Sequence, residues 1–471
     1  MIRIEQSAQC AVTVCFCSNA PAQALACGCD GLFTGDYGQT LFLPAQEKVH
    51  LLVGCGKDTA WNAHTVKELC AVAAKAISNA KIAACVIDTS LFWQAMKEQA
   101  LQPIVLGLVL GEYRYSVASA VSCAQSKTEY ILQGVPETAQ TLQELQHALQ
   151  VARGVLFARD TTNRPGNLLH PMDFTRMTQQ FLAGQPIETE LLVYGQLKAT
   201  GLQLIAGIGG SSEYPPNLMI LRYRGADSAT PPAVLVGKGV TCDTGGYCLK
   251  SADSMAGIKG DMAGAAAVVG VMYALAANKI PVNVSAYLPL CENRISQAAL
   301  LPGDVVRAYD GTSVEILNTD AEGRLLLADA VAYAAEKEKP SCLVDIATLT
   351  GAVYAALGHT VMGVLCDNEA LYQSFAAASA ATEERHLRFP FGLEHEKMLQ
   401  SEVADIKNIG GDCCGVITAG IFIRKFAKRI PWLHLDIAGT AWVQTPEYAF
   451  EQFGATGSGV AVLYALAKNL K

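Results

Sequence analysis

Two short segments of the 471-residue chain concentrate charged side chains among glycines. The first, Gly237-Lys238-Gly239-Val240-Thr241-Cys242-Asp243-Thr244-Gly245-Gly246, leaves the apolar run Ala233 to Val236 and leads on to Lys250. Asp261 follows at the head of a small-residue helix through Ala265, Ala266 and Ala267, where the positive helix N-terminus favours a carboxylate. The second, Asn318-Thr319-Asp320-Ala321-Glu322-Gly323-Arg324-Leu325, has the same strand, turn and helix plan. An extended approach would put Asp320, Glu322 and Arg324 on one side. Gly323 would then turn the chain into a helix whose free first amides suit an anion. Both segments belong at the carboxyl ends of strands, where open α/β sheets bind ligands. Asp243, Asp261, Asp320 and Glu322 converging with lysines and no histidine would be costly unless cations neutralised them. Two divalent metals, about 3.5–4 Å apart and able to activate water, are the simplest explanation. Lys238 could itself be a ligand, because adjacent dications depress an ammonium pKa.

Taken one at a time, each acid could be a helix cap or a surface ion pair; both loops are too tightly built for that to hold for the set. The first loop resembles a phosphate-binding loop in outline, but Lys238 precedes the loop and is followed by Gly239, which excludes the nucleotide motif on order and spacing. His395-Glu396-Lys397-Met398-Leu399 starts like a zinc-protease motif without its second histidine and reads as a surface helix. The other histidines lie outside both clusters and read as ordinary surface or core residues. No G-x-S-x-G elbow occurs. Cys15-Phe16-Cys17, Cys27-Gly28-Cys29 and the pair Cys413-Cys414 read as structural rather than metal-binding or reactive.

The elements that position these loops divide the chain into residues 1–135, a small α/β domain; 136–164, a connecting helix; and 165–471, the catalytic domain. In the first part, apolar runs at His50 to Gly54, Ile82 to Ile87 and Ile104 to Leu110 alternate with helical stretches such as Thr65 to Ser78. From Glu137 a polar-apolar pattern predicts a helix to about Thr162, about 40 Å long and stopped by Arg164-Pro165-Gly166. Beyond it, runs at Leu218 to Tyr223, Ala233 to Val236, Val282 to Leu288, Val314 to Leu317 and Cys342 to Ile346 alternate with helices. That pattern predicts an α/β fold with a central mixed sheet flanked by helices.

Composition narrows the function classes. Hydrophobic residues make up 51% and charged residues 17%, which excludes a disordered chain. The net charge of −8 argues against nucleic acid or an anionic membrane as partner. The N-terminus lacks the basic and apolar regions of a signal sequence, so a cytoplasmic protein with its sixteen cysteines reduced is expected.

The two loops resemble the leucyl aminopeptidase, or cytosol aminopeptidase, family, whose signature octapeptide stands complete at Asn318 to Leu325. The resemblance also covers Asp261-Met262, Ala347 to Ala352 and Leu435 to Trp442, and Tyr247 and Lys259 bring it closer to the peptidase B branch. It implies a homohexamer of two-domain subunits that cleaves peptide substrates, and two divalent ions, zinc or manganese, in each subunit. By position, Lys238, Asp243, Asp261 and Glu322 would hold one ion tightly. Asp243, Asp320 with its backbone carbonyl, and Glu322 would hold an exchangeable one. Lys250 would polarise the substrate, and Arg324, with Gly323 and Leu349, would bind a bicarbonate serving as general base. Ile258, where a methionine is usual, would wall the first side-chain pocket with Thr348 and Gly351, which suits leucine or methionine. Cys242 replaces a customary aromatic beside the metal-binding aspartate and Ala263 a customary glycine, while Ala256 and Gly257 simplify a loop. The Cys242 thiol would expose activity to oxidation. Two other readings are a DNA-binding scaffold, against which the N-terminal part lacks a basic stripe, and a dead enzyme, which the intact ligand set opposes.

Overall fold

The computed structural model describes residues 1–18, 32–45, 48–116 and 128–470, so Cys27-Gly28-Cys29 lies outside the described residues. The chain forms two compact units. Residues 1–156, 381–383 and 444–453 make the first, and 157–380, 384–443 and 454–471 the second. The division is therefore not a single cut, and it falls inside the helix Ala139–Asn163.

The first unit carries β1 (Ile2–Ile4), β2 (Val12–Cys17), β3 (Thr40–Ala45), β4 (Lys48–Gly54), β5 (Ala84–Asp88) and β6 (Glu129–Gln133). They form one sheet in the order β1-β6-β5-β2-β4-β3, parallel except for the β3–β4 hairpin. Helix Ala63–Asn79 begins at Asn62, whose side chain accepts the Thr65 N–H at 2.9 Å and closes a capping box. The run Ile104 to Leu110, read as one of the short apolar runs, lies within the helix Leu101–Glu112. That helix is buried nearly all round, so its sequence shows neither a two-residue nor a 3.6-residue period. Cys15 and Cys17 lie part-buried on β2 against the core of Phe33, Leu43 and Leu52, and burial pushes the Cys15 thiol up to about 12.

The second unit carries β7 (Ile187–Val193), β8 (Asn217–Arg224), β9 (Ala233–Gly237), β10 (Gly239–Asp243) and β11 (Asn283–Asn293). These are followed by β12 (Val305–Arg307), β13 (Ser313–Glu315), β14 (Cys342–Ala347), β15 (Met362–Cys366) and β16 (His386–Arg388). The last are β17 (Ile406–Lys407), β18 (Trp432–Asp436), β19 (Trp442–Val443) and β20 (Gly454–Ala455). The main sheet runs β16-β15-β18-β14-β9-β11-β8-β7, with β10 also paired to β11. It is mixed: β18, β14, β9 and β11 are parallel, whereas β8 and β15 join antiparallel. The central strands are buried along their whole length, which is why β9 and β14 read as continuous apolar runs rather than alternating ones. Alternation survives in where they point. Val234 and Val236 join a core containing Leu325 to Leu327 of the helix Gly323–Glu338, and the two-residue period turns Leu235 to the opposite face. The run at Val314 to Leu317 is not in this sheet; β13 pairs with β12 and β17 in a separate three-stranded sheet. The stretch Ile258–Ala277 is apolar and long enough to cross a bilayer, yet 83% of its 18-residue apolar window is buried inside the fold, as a core helix is.

Asp329 anchors this layer. Its fully buried carboxylate accepts the backbone N–H groups of Leu204 at 2.8 Å, Ile205 at 3.2 Å and Tyr309 at 2.7 Å. Asp329→Ala orphans three buried donors, so urea unfolding should show a loss of about 3 kcal/mol. A loss below about 0.5 kcal/mol would mean that the three amides find other partners.

Candidate metal centre

Lys238 stands between β9 and β10, at the end of β9. Its N–H donates to Ile346 O at 3.1 Å and its carbonyl accepts from Ala265 N at 2.9 Å, so β14 and the helix Ala263–Ala277 fix its backbone on both sides. Asp243 ends β10. Gly245 and Gly246 follow with φ of +87° and +62°, left-handed values that favour glycine, and bring the chain back so that Lys250 N bonds Thr244 O at 3.0 Å. Thr319 ties this loop to the second one: its hydroxyl donates to Gly245 O at 2.6 Å and accepts from Cys248 N at 2.8 Å.

The structure brings all six side chains of the proposed centre together. Lys238 Nζ lies 2.8 Å from Asp261 Oδ2 and 2.9 Å from Glu322 Oε1, and donates to Thr348 O at 3.0 Å. Lys250 Nζ lies 2.7 Å from Asp243 Oδ2 and also pairs with Asp320 Oδ1. Asp243, Asp320 and Glu322 each present an oxygen within 4.8 Å of the other two, a spacing that one cation can bridge. The set is not a surface network: Lys238, Asp243 and Glu322 are each no more than 3% exposed.

The electrostatics leave the centre short of positive charge. Burial pushes the Glu322 and Asp261 carboxyls up, and the Asp243 charge adds to it in both. Asp320 is raised for the same two reasons. Burial opposes the charge on Lys238 and Lys250, but the surrounding carboxylates prevail and hold both ammoniums above their ordinary range. With all four acids ionised, two ammoniums would leave two negative charges uncompensated in a largely buried site, an excess that protonation or a cation must relieve. Moreover, Glu322 Oε2 is buried without a hydrogen bond among the described residues, and Asp261 Oδ2 meets only the Lys238 ammonium, at 2.8 Å. An orphaned carboxylate oxygen beside further carboxylates fits divalent cations, whose charge and coordination would satisfy both deficits.

Two expectations about the second loop change. Asp320 and Glu322 do not converge by strand alternation; Asp320 sits in a turn and Glu322 immediately precedes the helix Gly323–Glu338. Nor does Gly323 supply a special turn. A Cβ there would lie 2.6 Å from Lys238 Cε, 2.7 Å from Nζ and 2.8 Å from Cδ, so the missing side chain is the space through which Lys238 reaches the acids. Arg324, in the first turn of that helix, is 7% exposed and donates from Nη1 to Asn408 O at 2.9 Å. Its Nε is buried with no hydrogen-bond partner among the described residues, an open donor for an anion, and although burial pulls its pKa down to about 10 it is cationic at neutral pH.

The other predicted residues are less uniformly gathered. Thr348 donates its hydroxyl to Asp261 Oδ1 at 2.7 Å. Gly351 starts the helix Gly351–Leu357 and is exposed. The Leu349 N–H, expected at an anion, donates to Asp436 Oδ1 at 3.2 Å. Ile258 lies on a short 3-10 turn and lines a cavity together with Cys242 rather than with Thr348 and Gly351. Cys413 and Cys414, expected to be structural, are exposed.

Several positioning residues escaped the sequence reading. Asn293 donates to Asp243 Oδ1 and to Thr319 O, both at 2.9 Å. Asn408 accepts from Leu317 N at 2.9 Å and donates to Asn318 O at 2.7 Å, fastening the second loop from ninety residues away. Asp436 holds the turn at Leu349 and Thr350, accepting the Thr350 hydroxyl at 2.7 Å. His434, one of the histidines read as ordinary surface or core residues, lies in the core, fully buried with its Nδ1 2.5 Å from Asp345 Oδ1.

Comparison with known proteins agrees with this geometry. Residues 156–464 match the catalytic domain of the cytosol aminopeptidase family and residues 22–118 match its N-terminal domain. A probable cytosol aminopeptidase of Caulobacter vibrioides is 37% identical over 93% of this chain and 89% of its own length. One from Xanthobacter autotrophicus is 42% identical over 71% of this chain and 67% of its own. Among solved structures, the bottromycin maturation enzyme BotP in complex with manganese superposes with a TM-score of 0.87 at 31% identity, covering 97% of this chain and 99% of that one. With both of its domain models matched and its acidic centre assembled from the family's signature loops, the chain belongs to the cytosol aminopeptidase family, and is a metal-dependent hydrolase.

Proposed function

We propose that the protein is a dinuclear metal aminopeptidase that releases N-terminal apolar residues, leucine and methionine among them, from peptides. The observation that carries this reading is the buried meeting of four carboxylates and two lysines with Glu322 Oε2 left unpaired. Lys238, Asp243, Asp261 and Glu322 would hold one ion, and Asp243, Asp320 and Glu322 the other, as zinc or manganese. When bound, the ions would supply Lewis-acid polarisation of the scissile carbonyl and an acidified water, and bicarbonate on Arg324 a general base.

The chain's own residues have distinct tasks. Lys250 is 20% exposed at its side chain, against 3% for Lys238, so it is the cation able to reach a substrate. Its ammonium would donate to the carbonyl oxygen as negative charge develops there. Arg324 would hold the anion through the Nε that has no other partner. Thr348, fixed on Asp261, would border the first side-chain pocket, with Gly351 leaving it open, while Ile258 lies on the separate cavity beside Cys242. A peptide's free α-amine and its scissile carbonyl lie close together along the chain, so a centre that binds both counts one residue from the N-terminus. The likeness to the peptidase B branch rests on Tyr247 and Lys259, and the hexamer and cytoplasmic location on the family.

The test compares a leucine peptide with its N-acetylated twin, using metal-stripped protein with and without added manganese or zinc. Cleavage restored by metal and confined to the free-amine peptide is the expected result. A folded protein that cleaves neither peptide with either metal would sink the enzymatic reading.

A further inference from the structure

A second concave site lies on the far side of β10 from the acids. The register between β10 and β11 sets Asp243 opposite Asn293 and Cys242 opposite Glu292. Asp243 and Asn293 bond to each other in the metal centre, so the two-residue period of the strands turns Cys242 and Glu292 to the opposite face. There a cavity of about 460 Å³ opens, and none of the four acids or two lysines of the metal centre lines it.

The charge of this cavity is built in. Glu292 is completely buried and fully used: it accepts from Ser212 Oγ at 2.6 Å, Arg294 Nε at 2.6 Å and His170 Nδ1 at 2.9 Å. The His170 ring is braced by stacking on Tyr214, with centroids 3.5 Å apart. Arg294 is thereby locked through Nε, while its two terminal nitrogens make no hydrogen bond or ion pair among the described residues and its side chain is 38% exposed. A guanidinium held at one edge and free along the other presents the paired donors that match a carboxylate. Lys259 adds a second cation, placed by Asn163 O at 3.1 Å and lying over the Trp442 ring. Ile258, Ala256, Pro165 and Cys242 add apolar lining, and Glu213 is the one acid among the lining residues.

We propose that this cavity binds a small organic carboxylate with an apolar body, the carboxylate on Arg294 and the hydrocarbon against Ile258 and Cys242. The volume suits a molecule the size of an amino acid derivative, and it depends on Cys242 being small. The proposal does not rest on the aminopeptidase reading, because its test reads binding alone.

N-acetyl-leucine is the probe, having the carboxylate and the apolar body but no free amine. Titration calorimetry on the intact protein should give a Kd below a millimolar, and N-acetyl-leucine amide, lacking the charge, should not bind. Arg294→Gln should raise the Kd at least about tenfold. Because that change also disturbs Glu292, Cys242→Phe provides the independent check. It fills the cavity with a bulky ring and should abolish binding. The proposal is overturned if the probe does not bind, if the amide binds equally well, or if Cys242→Phe leaves the Kd unchanged.

Discussion

Glu322→Gln lowers kcat/KM on a leucine peptide by about 10³-fold, equivalent to about 4 kcal/mol of transition-state stabilisation, while the protein stays folded. Glutamine keeps the shape of the side chain and removes its charge, so the change falls on the electrostatics of the centre. Glu322 Oε1 pairs with Lys238 and Oε2 is unpaired, which makes this residue the one carboxylate that touches the first lysine and also belongs to the Asp243–Asp320–Glu322 triad. It would therefore serve both ions, and its loss should lower bound manganese from two toward one or none per chain after dialysis, measured by elemental analysis. Stability should move the other way. Burial and the neighbouring acids raise the Glu322 carboxyl above its ordinary range, so in the metal-free protein its ionisation opposes folding. A group with a raised folded pKa destabilises increasingly as pH climbs above the unfolded value. The metal-free variant should accordingly melt no lower than the metal-free parent at pH 8. Full activity with two bound metals in the variant would remove Glu322 from the centre.

How much of this was legible in the sequence follows from how local each cause is. The octapeptide Asn318 to Leu325 and the loop Lys238 to Lys250 carry three of the four acids and both lysines in one stretch each, so residue types and spacing marked the two loops as a pair, though not the turn and helix start that bring Asp320 and Glu322 together. The continuous apolar runs of β9 and β14 likewise announce strands buried on both faces. What stayed hidden depends on partners distant in the chain. Asn408 and Asp436 act by bonding backbone groups of other segments, and nothing in their own surroundings marks an asparagine or aspartate for that task. The run at Ile104 to Leu110 lacks a period because its helix is buried all round. Cys242 stands out as a departure from the family, but the cavity it borders is lined by His170, Tyr214 and Arg294 from three separate segments.

Gly323 shows the same limit most sharply, and the second large effect is expected there. The residue starts a helix in ordinary right-handed geometry, where alanine is the better helix former by up to about 1 kcal/mol. On local grounds Gly323→Ala should be neutral or stabilising. The added methyl, however, would occupy the path of Lys238, with three of that side chain's atoms within 2.8 Å of the new Cβ. Lys238 is 3% exposed, and its backbone is pinned by Ile346 and Ala265, so it cannot retreat along the chain. The helix start is held just as firmly, since Arg324 is bonded to Asn408. The strain therefore falls on the Lys238 ammonium and its contacts with Asp261 and Glu322. Gly323→Ala should lose about 10²-fold or more in kcat/KM, as misplacement of a positioning group by an ångström does, with a melting temperature within a few degrees of the parent. The paired variant Gly323→Ala with Lys238→Ala relieves the clash. If the cost of the first change is steric, the pair should be no less active than Lys238→Ala alone, a non-additivity that a loss through helix geometry would not produce.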